Sequence, residues 1–562
     1  MSEIDLDEAL ATVRQGILQG QSERVLPLLM QLTEEVAGAP EVRYWLYSAL
    51  TALDMQEEAD RAFRQAIALH AMHTMQESGV EMDRYLNDAE YAEMVGHSYY
   101  SIRCPAIAAV AFERAIQLDG PTVERIKFYA LALHHQTRSE EAAAIFKGAA
   151  EAYHSPALHQ FMLFALFFTK GGVENYAAEA KRWAKTYAPD HPDVLQIATD
   201  PANRKLKIGY LAPSFSRSQI AQFIKPILEA HDPDAVEVIL YTDTLANEDP
   251  LPCSRVVEIG AMNDADALAM IRADQLDILL DVWGHTAGSR MLIFAHRAAP
   301  VQVAWINFIQ TTGLPSMDYV LHSDSMYVPG TEDLFTETIW SMGEITIPYR
   351  PADDRPPPAP PPAATNGYVT FGSFNNPSKL SDQTVAAWSR ILVGKPDSRL
   401  LLKYGVFADP VMKRMTQARF AAHGVDPARV LFEGHSKGRD YLTSFARMDL
   451  ALDPSPCPGG TTTCDALAAG VPVLTLAGDN FYSRIGIQGV AVAGMPDLVA
   501  ESWDDYVDKA LAVTIDLETL TALRARVLPG FEASAMRDEV GFTRRLEEDL
   551  RTMAERRFAQ QT

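Results

Sequence analysis

The stretch Cys457–Asp465 reads CPGGTTTCD and has the composition of a site for an anionic ligand. An apolar, strand-like run, Leu450–Asp453, precedes it, and a helical pattern follows at 464–470. The adjacent glycines Gly459 and Gly460 allow the backbone to come close to a ligand. A strand that ends in such a turn before a helix predicts a binding site at the start of that helix.

Hydroxyl side chains come next, where a helix presents its unpaired N–H groups and the positive end of its dipole. Thr461, Thr462 and Thr463 are therefore expected to bind phosphate or another anion through their main-chain amides. Asp465 is expected to accept hydrogen bonds from sugar hydroxyls. An ordinary strand–turn–helix with a threonine as its N-cap has the same pattern, and this stretch alone leaves both interpretations open.

The elements that must position these residues belong to two series of alternating strands and helices. Near-continuous apolar strands separated by helices predict parallel sheets covered on both faces. We expect two Rossmann-like halves, 200–350 and 367–562 (the latter with the C-terminal helices), joined by a stiff, proline-rich linker at 351–366. The expected strands are Leu206–Ala212, Val236–Tyr241, Leu276–Asp281, Val301–Trp305, Tyr319–Leu321, Tyr368–Phe374, Arg399–Tyr404, Val430–Glu433, Leu450–Asp453 and Val471–Leu476.

Residues 1–190 have helical spacing and an internal repeat. The pattern Ala-x3-Phe-x2-Ala begins at Ala108 and recurs 34 residues later at Ala142, and an earlier copy begins at Ala59. This region is similar to tetratricopeptide repeats, which stack into an α-solenoid whose concave surface binds peptides or proteins. An ordinary helical bundle is the alternative. The fold class expected is thus α plus α/β, a solenoid followed by two Rossmann-like halves.

Composition restricts the function. The net charge of −25 argues against binding of duplex nucleic acid through its phosphates. No apolar run reaches the roughly 18 residues of a membrane span, and the acidic N-terminus lacks a signal pattern. Four scattered cysteines indicate a reducing compartment. We therefore expect a cytoplasmic protein that binds neither nucleic acid nor membrane.

Short motifs occur in a consistent order in both halves. They are the segments 281–290 (DVWGHTAGSR), 294–305 (FAHRAAPVQVAW), 311–313 (TTG), 317–319 (MDY), 374–379 (FNNPSK), 457–465 and 483–484 (SR). Together they resemble the O-GlcNAc transferase and SPINDLY-type family of protein O-glycosyltransferases, which have a GT-B fold. The resemblance covers roughly residues 90–540.

The resemblance assigns roles to single residues. Lys379 matches a lysine that neutralises charge on the leaving phosphate, and its place after a strand fits that role. His285, in a glycine-flanked turn, is expected to place or deprotonate an acceptor hydroxyl, although a structural role is equally compatible with a single histidine. The residues expected to bind the donor are Asn376, Tyr441, Gly459, Gly460, Thr461, Thr462, Thr463 and Asp465.

Some positions depart from the family pattern. Ser218 and Gly460 stand where the family usually has histidine, and Tyr441 stands at a third such place, where it could still stack on a base. Asn307–Gln310 replaces a Gly-Tyr-Pro-Gly type of run. These departures leave open whether the donor is the usual UDP-GlcNAc, another nucleotide sugar, or none.

The resemblance implies an inverting, metal-independent protein O-glycosyltransferase with a nucleotide-sugar co-substrate and no cofactor. The repeats would capture the protein acceptor. Our hypothesis within this interpretation is the flagellin-modifying branch, with a CMP-activated nonulosonic acid as donor, because a single phosphate suits a changed nucleotide pocket. One alternative is a non-catalytic repeat scaffold fused to a decayed transferase. Another is a sugar-nucleotide epimerase, an activity that would leave the repeats without a role.

Overall fold

The computed structural model describes residues 5–169, 171–215, 220–245, 251–307 and 310–561. The chain begins with a helical region and continues into two parallel β-sheets with helices around them. This arrangement confirms the fold class expected from the sequence, an α-solenoid followed by two Rossmann-like halves.

The helical region is a series of helices, most of which pack against the next helix along the chain. Its helices are α1 Leu6–Leu18, α2 Ser22–Glu35, α3 Pro40–Ala52, α4 Gln56–Glu77, α5 Met82–Asn87, α6 Ala89–Ser101, α7 Pro105–Asp119, α8 Val123–His135, α9 Ser139–Tyr153, α10 Pro156–Leu166 and α11 Gly172–Tyr187. Helix α5 lies between the copies of the repeat pattern that begin at Ala59 and Ala108, which are 49 residues apart instead of 34.

The repeat pattern places small residues against large ones between neighbouring helices. Phe112 on α7 and Phe146 on α9 are fully buried, as are the alanines that flank them in the pattern. A Cβ on Gly96 of α6 would lie 3.0 Å from the ring of Phe112, so glycine allows the two helices to approach. This packing explains the 34-residue period.

The first lobe contains a seven-stranded parallel sheet in the order β3-β2-β1-β4-β5-β6-β7. Its strands are β1 Leu206–Leu211, β2 Val236–Thr242, β3 Arg255–Glu258, β4 Ile278–Asp281, β5 Val301–Ala304, β6 Tyr319–His322 and β7 Thr338–Ser341. The helices between them are α12 Ala221–Ala230, α13 Asp264–Ala273 and α14 Met291–Ala295.

The second lobe contains a six-stranded sheet in the order β10-β9-β8-β11-β12-β13, also parallel. Its strands are β8 Thr370–Ser373, β9 Arg399–Lys403, β10 Val430–Glu433, β11 Leu450–Leu452, β12 Val473–Leu476 and β13 Val499–Ala500. The associated helices are α15 Ala363–Asn366, α16 Asp382–Gly394, α17 Pro410–Ala421, α18 Gly438–Ser444, α19 Thr461–Ala468, α20 Ile485–Val492, α21 Trp503–Val513 and α22 Leu517–Glu532.

The last helix, α23 (Glu539–Ala559), returns to the first lobe, although the sequence grouped it with the second half. Glu547 on this helix accepts a hydrogen bond from His231 Nδ1 at 2.8 Å, and Arg551 donates to the carbonyl of Arg204 at 3.0 Å. The proline-rich segment lies against the second lobe, where Arg524 donates to the carbonyl of Ala359. Part of the predicted linker is helical, because it includes α15.

Among the described residues, no helix is both long and apolar enough to cross a membrane.

Candidate functional site

The predicted anion site lies where the strand order of the second sheet reverses. Strands β8 and β11 are neighbours there, although about 80 residues separate them in the chain. The carboxyl ends of two such strands form a crevice in which ligands of open α/β sheets bind. The loop after β8 includes the 3₁₀ turn Pro377–Lys379, and the loop after β11 includes the glycine turn. Lys379 Nζ donates to the carbonyl of Pro458 at 2.8 Å, so the two loops meet.

Helix α19 begins at Thr461 with its first amides free. Its N-cap residue is Gly460, which has no side chain, and no side-chain oxygen caps the helix. Within the part of the chain that the structure describes, no protein acceptor bonds the N–H of Thr461, Thr462 or Thr463. The alternative of a threonine N-cap is therefore wrong, and these three amides remain available to an anion.

Gly459 is required by close packing in this turn. A Cβ at this position would lie 2.4 Å from Thr463 Oγ1, 2.6 Å from Thr462 Oγ1 and 2.8 Å from Asp453 Oδ1. At Gly460 the nearest atom to such a Cβ would be Ile485 Cγ2 at 3.9 Å. The two glycines thus differ, because only the first excludes a side chain.

Two residues that the sequence analysis did not assign to the site lie at its centre. Asn375 Oδ1 accepts from Lys379 Nζ at 3.3 Å and from Thr462 Oγ1 at 2.9 Å. Its amide nitrogen donates to Asp453 Oδ1 at 3.3 Å. Asp453 also accepts from the N–H of Gly459 at 3.0 Å. An acidic residue that ends an apolar strand just before a glycine turn is the sequence signal that could have identified Asp453.

The charges at this site are held in a desolvated environment. Burial lowers the pKa of Lys379, against the opposing influence of Cys457 and Asp453. Burial raises the pKa of Asp453 to about 6. The hydrogen-bond partners of Lys379 Nζ are an amide oxygen and a carbonyl oxygen, so a bound phosphate would add the negative charge that favours the ammonium form.

Several predicted donor contacts need correction in their details. The hydroxyl of Thr463 donates to Asp453 at 3.1 Å, so only its amide is left to bind the donor. The hydroxyl of Thr462 is engaged by Asn375. The Oδ1 of Asn376 caps the 3₁₀ turn by accepting from the N–H of Ser378 at 3.1 Å. The role predicted for Asn376 as a donor-binding amide therefore rests on its nitrogen alone.

Asp465 is buried rather than open to a sugar. Its two carboxylate oxygens accept from the hydroxyls of Tyr349 and Tyr441, the second at 3.1 Å. Burial raises the pKa of Asp465 to about 6. The ring of Tyr441 packs against Phe445 at 5.4 Å between centroids. A direct contact of Asp465 with a sugar hydroxyl would require one of these tyrosines to move.

His285 does not have the environment expected of a catalytic base. It is fully buried, its Nε2 donates to the carbonyl of Thr312 at 2.8 Å, and its Nδ1 accepts from Gln160 Nε2 at 3.3 Å. The ring also lies against Trp183, with centroids 4.8 Å apart. Burial lowers the pKa of His285 to about 4. Both nitrogens are already engaged, so His285 links the repeat region to the first lobe.

Of the departures from the family pattern, Ser218 lies outside the described residues, as do positions 308 and 309 of the run Asn307–Gln310. The structure describes Asn307, whose amide nitrogen donates to the carbonyl of Trp283 at 3.3 Å. Among the described residues there is no cluster of three or more His, Cys, Asp or Glu side chains that could hold a metal ion.

Comparison with known proteins identifies the family to which the two lobes belong. The model of the family described as Glycosyl transferase family 41 matches residues 189–343 and 363–546, more than half of the chain. The chain belongs to glycosyltransferase family 41. Its resemblance to the O-GlcNAc transferase and SPINDLY-type proteins is thereby confirmed. The family 41 match omits residues 344–362, which include most of the proline-rich segment.

Similar family 41 proteins come from plants. A probable UDP-N-acetylglucosamine–peptide N-acetylglucosaminyltransferase SPINDLY of Oryza sativa subsp. japonica is 32% identical over 406 residues, which are 70% of this chain and 44% of the relative. The protein of the same description from Hordeum vulgare is 33% identical over 387 residues, 66% of this chain and 40% of the relative. The chain thus spans less than half the length of these relatives.

A solved structure of a variant of the Thermobaculum terrenum O-GlcNAc transferase is similar over almost its whole length. It has a TM-score of 0.79 and 28% sequence identity, and the match covers 90% of this chain and 99% of that chain. The similarity confirms the GT-B arrangement of the two lobes behind a helical region.

Proposed function

We propose that this chain is a protein O-glycosyltransferase, which moves a sugar from a nucleotide sugar to a Ser or Thr hydroxyl of a protein acceptor. The observation that carries this proposal is the convergence of the Lys379 ammonium with the free amides of Thr461–Thr463 at the β8/β11 reversal. The names of its family 41 relatives, which describe peptide glycosyltransferases, support the same class of reaction.

The chemistry follows from where negative charge develops. The acceptor oxygen attacks the anomeric carbon and gives up its proton to solvent or to the departing phosphate, while the bond between that carbon and the phosphate oxygen breaks with inversion. Charge then accumulates on the phosphate, where the amides of α19 and Lys379 stabilise it. This set of donors provides stabilisation without a metal ion. His285 is engaged on both nitrogens and takes no part as a base.

We propose a donor with one phosphate, a CMP-activated nonulosonic acid, in preference to UDP-GlcNAc. This choice is supported by Gly460, which removes an imidazole from the place where the family usually has one beside the phosphate. The test is to incubate the purified chain and an acceptor with UDP-GlcNAc or with a CMP-nonulosonic acid and to measure the product mass. A mass increase with UDP-GlcNAc alone refutes the choice of donor, and no increase with either refutes the transferase.

The repeat region offers a place for the acceptor, for which we propose flagellin. A cavity of about 360 Å³ lies between α9, α10 and α11. Its lining includes Lys147, Asn175 and Glu179 among smaller residues. Lys147→Glu should slow modification of flagellin while leaving nucleotide binding unchanged, because the cavity belongs to the repeats. Equal rates for the variant and the wild type would exclude this cavity as the acceptor site.

A non-catalytic scaffold is the second candidate, and two observations favour it. The Asp465 carboxylate is capped by two tyrosine hydroxyls, and the cavity beside Asn375 and Asp453 is only about 10 Å³, room for a single water. Thermal shift with nucleotides separates the two candidates. A ligand at a hundred times its dissociation constant adds about 2.7 kcal/mol of stability. A decayed site would show no shift with CMP or UDP.

A further inference from the structure

We propose that Asp453 is a positioning residue that holds the glycine turn and Lys379 in the arrangement that binds the donor phosphate. It would act through other groups, without contacting the donor itself. This inference rests on the proposed function, because it concerns how the same phosphate site is built.

The first line of argument is the set of donors that Asp453 accepts. Its carboxylate receives the N–H of Gly459 at 3.0 Å and the hydroxyl of Thr463 at 3.1 Å. Gly459 precedes the free amides at the start of α19, and Thr463 carries the last of them. A single carboxylate thus holds the turn at both ends of this stretch.

The second line is the path to Lys379. Asn375 donates its amide nitrogen to Asp453, which settles the orientation of the amide. Its oxygen is consequently turned towards Lys379 Nζ and the hydroxyl of Thr462, at 3.3 Å and 2.9 Å. Asp453 therefore determines where the ammonium lies, although the carboxylate and the ammonium share no direct hydrogen bond in this structure.

The third line is that the carboxylate has no room to move. A Cβ on Gly459 would lie 2.8 Å from Asp453 Oδ1, and a Cβ on Gly486 would lie 2.8 Å from Asp453 Oδ2. These glycines precede or begin two different helices, α19 and α20. The adjoining cavity, which Asp453 helps to line, has a volume of only about 10 Å³. Two helix starts are thus packed around one carboxylate.

The test compares Asp453→Asn with a matched control on the same strand. Asp449 lies at the opposite end of β11, is also buried, and accepts from the N–H groups of Thr370 and Ala363 at 2.8 Å and 3.0 Å. Asp449→Asn therefore perturbs a buried carboxylate of the same lobe away from the site. Thermal denaturation measures the stability of both variants, and calorimetric titration with CMP and with UDP measures phosphate binding.

Asp453→Asn should weaken nucleotide binding on the order of tenfold, as expected when a buried hydrogen-bond partner is lost. Asp449→Asn should lower the melting temperature but keep the wild-type affinity. The double variant Asp453→Asn with Asn375→Asp restores a carboxylate–amide pair in the reverse order and should recover much of the affinity. A purely structural Asp453 would lower affinity no more than Asp449 does, and its loss would not be rescued by the exchange.

The outcomes separate this inference from the proposed function. If the wild type binds nucleotide and Asp453→Asn binds it equally well, the positioning role is refuted and the transferase stands. If the wild type binds nucleotide but transfers no sugar, the transferase is refuted and the affinities still decide the role of Asp453. If the wild type binds neither CMP nor UDP, both proposals are refuted.

Discussion

Replacing Gly459 by alanine adds one methyl group where the structure leaves no space for it. The added Cβ would lie 2.4 Å from Thr463 Oγ1 and 2.6 Å from Thr462 Oγ1. Both hydroxyls are held by hydrogen bonds, to Asp453 and to Asn375. Relief of the contact therefore requires the two threonines to give up these bonds or the turn to move away from Lys379.

The magnitude follows from these two losses. Each lost internal hydrogen bond costs about 1 kcal/mol, and overpacking of a dense region costs about 1–3 kcal/mol. We expect Gly459→Ala to destabilise the second lobe by about 3–5 kcal/mol in total. Nucleotide binding should fall by more than about tenfold, since the amides and Lys379 no longer converge.

The assay uses Gly460→Ala as its control. The neighbouring glycine has φ of −105°, and a Cβ there would be 3.9 Å from its nearest neighbour, Ile485 Cγ2. The control should stay within about 1 kcal/mol of the wild type, because only a helix-cap preference changes. Melting temperature and calorimetric titration with CMP and UDP are measured for both variants.

The comparison refutes the reasoning in two ways. If Gly459→Ala matches Gly460→Ala in affinity, the close packing around Gly459 does not shape the phosphate site. If both variants remain folded and lose affinity equally, the open space beside Gly460 is part of the ligand site. In that case a side chain at Gly460 would collide with the ligand rather than with the protein.

Three further predictions concern the surrounding residues. Lys379→Met keeps the aliphatic stem but removes the charge, so kcat should fall on the order of a hundredfold or more in a mass-based transfer assay. An unchanged kcat would exclude electrostatic stabilisation by this lysine. His285→Gln tests the buried imidazole. Burial lowers the pKa of His285 from 6.5 to about 4 in the folded chain, so between these pH values the unfolded chain binds a proton that the folded chain does not. The stability of the native state therefore rises with pH in this interval. Calorimetric unfolding from pH 4.5 to 7 should show a flatter slope for the variant than for the wild type, whereas equal slopes would contradict the assignment. Tyr349→Phe should destabilise the protein by about 1–3 kcal/mol, because the buried Asp465 loses a donor; unaltered thermal stability would show that this contact contributes nothing.

Most of the strands that the sequence predicted are buried on both faces, the edge strand β10 being an exception. Strands β1, β2 and β4 read as continuous apolar runs, and their residues are almost all buried. The edge strands β3 (Arg255–Glu258) and β7 (Thr338–Ser341) were missed, because each has exposed residues at both ends and only two partly buried ones between. An edge strand lacks a neighbour on one side, so it needs less apolar surface and leaves a weaker pattern.

The meeting of the two loops that form the predicted anion site could be expected from the sequence, but the partners of their side chains could not. The order of motifs along the chain placed Lys379 and the glycine turn after two strands, and the parallel topology then brought those strands together. The sequence assigned Asn376 to the donor site, whereas the amide that contacts Lys379 belongs to Asn375. Which of two adjacent amides faces Lys379 depends on the turn geometry, and there Asn376 serves as the cap of the 3₁₀ turn.

His285 shows why a local pattern misleads when a distant segment covers it. A histidine in a glycine-flanked turn after a strand is typical of a residue that faces a cleft. Here Gln160 and Trp183, from repeat helices more than 100 residues earlier, pack on the imidazole. The repeat region thus occupies one wall of the first lobe, and no property of residues 281–290 alone records that contact.

The burial of His285 bears on which groups could contribute to the proposed reaction. A neutral His285 with both nitrogens bonded would have to break its contact with Gln160 before it could accept the proton of an acceptor hydroxyl. The groups that remain organised are those around the phosphate: the amides of α19, Lys379, and the carboxylate and amide that hold them. Because these donors are fixed before a ligand arrives, they need little reorganisation as charge moves to the leaving group. Under the proposed transferase function, we therefore expect this site to accelerate departure of the nucleotide rather than activation of the acceptor.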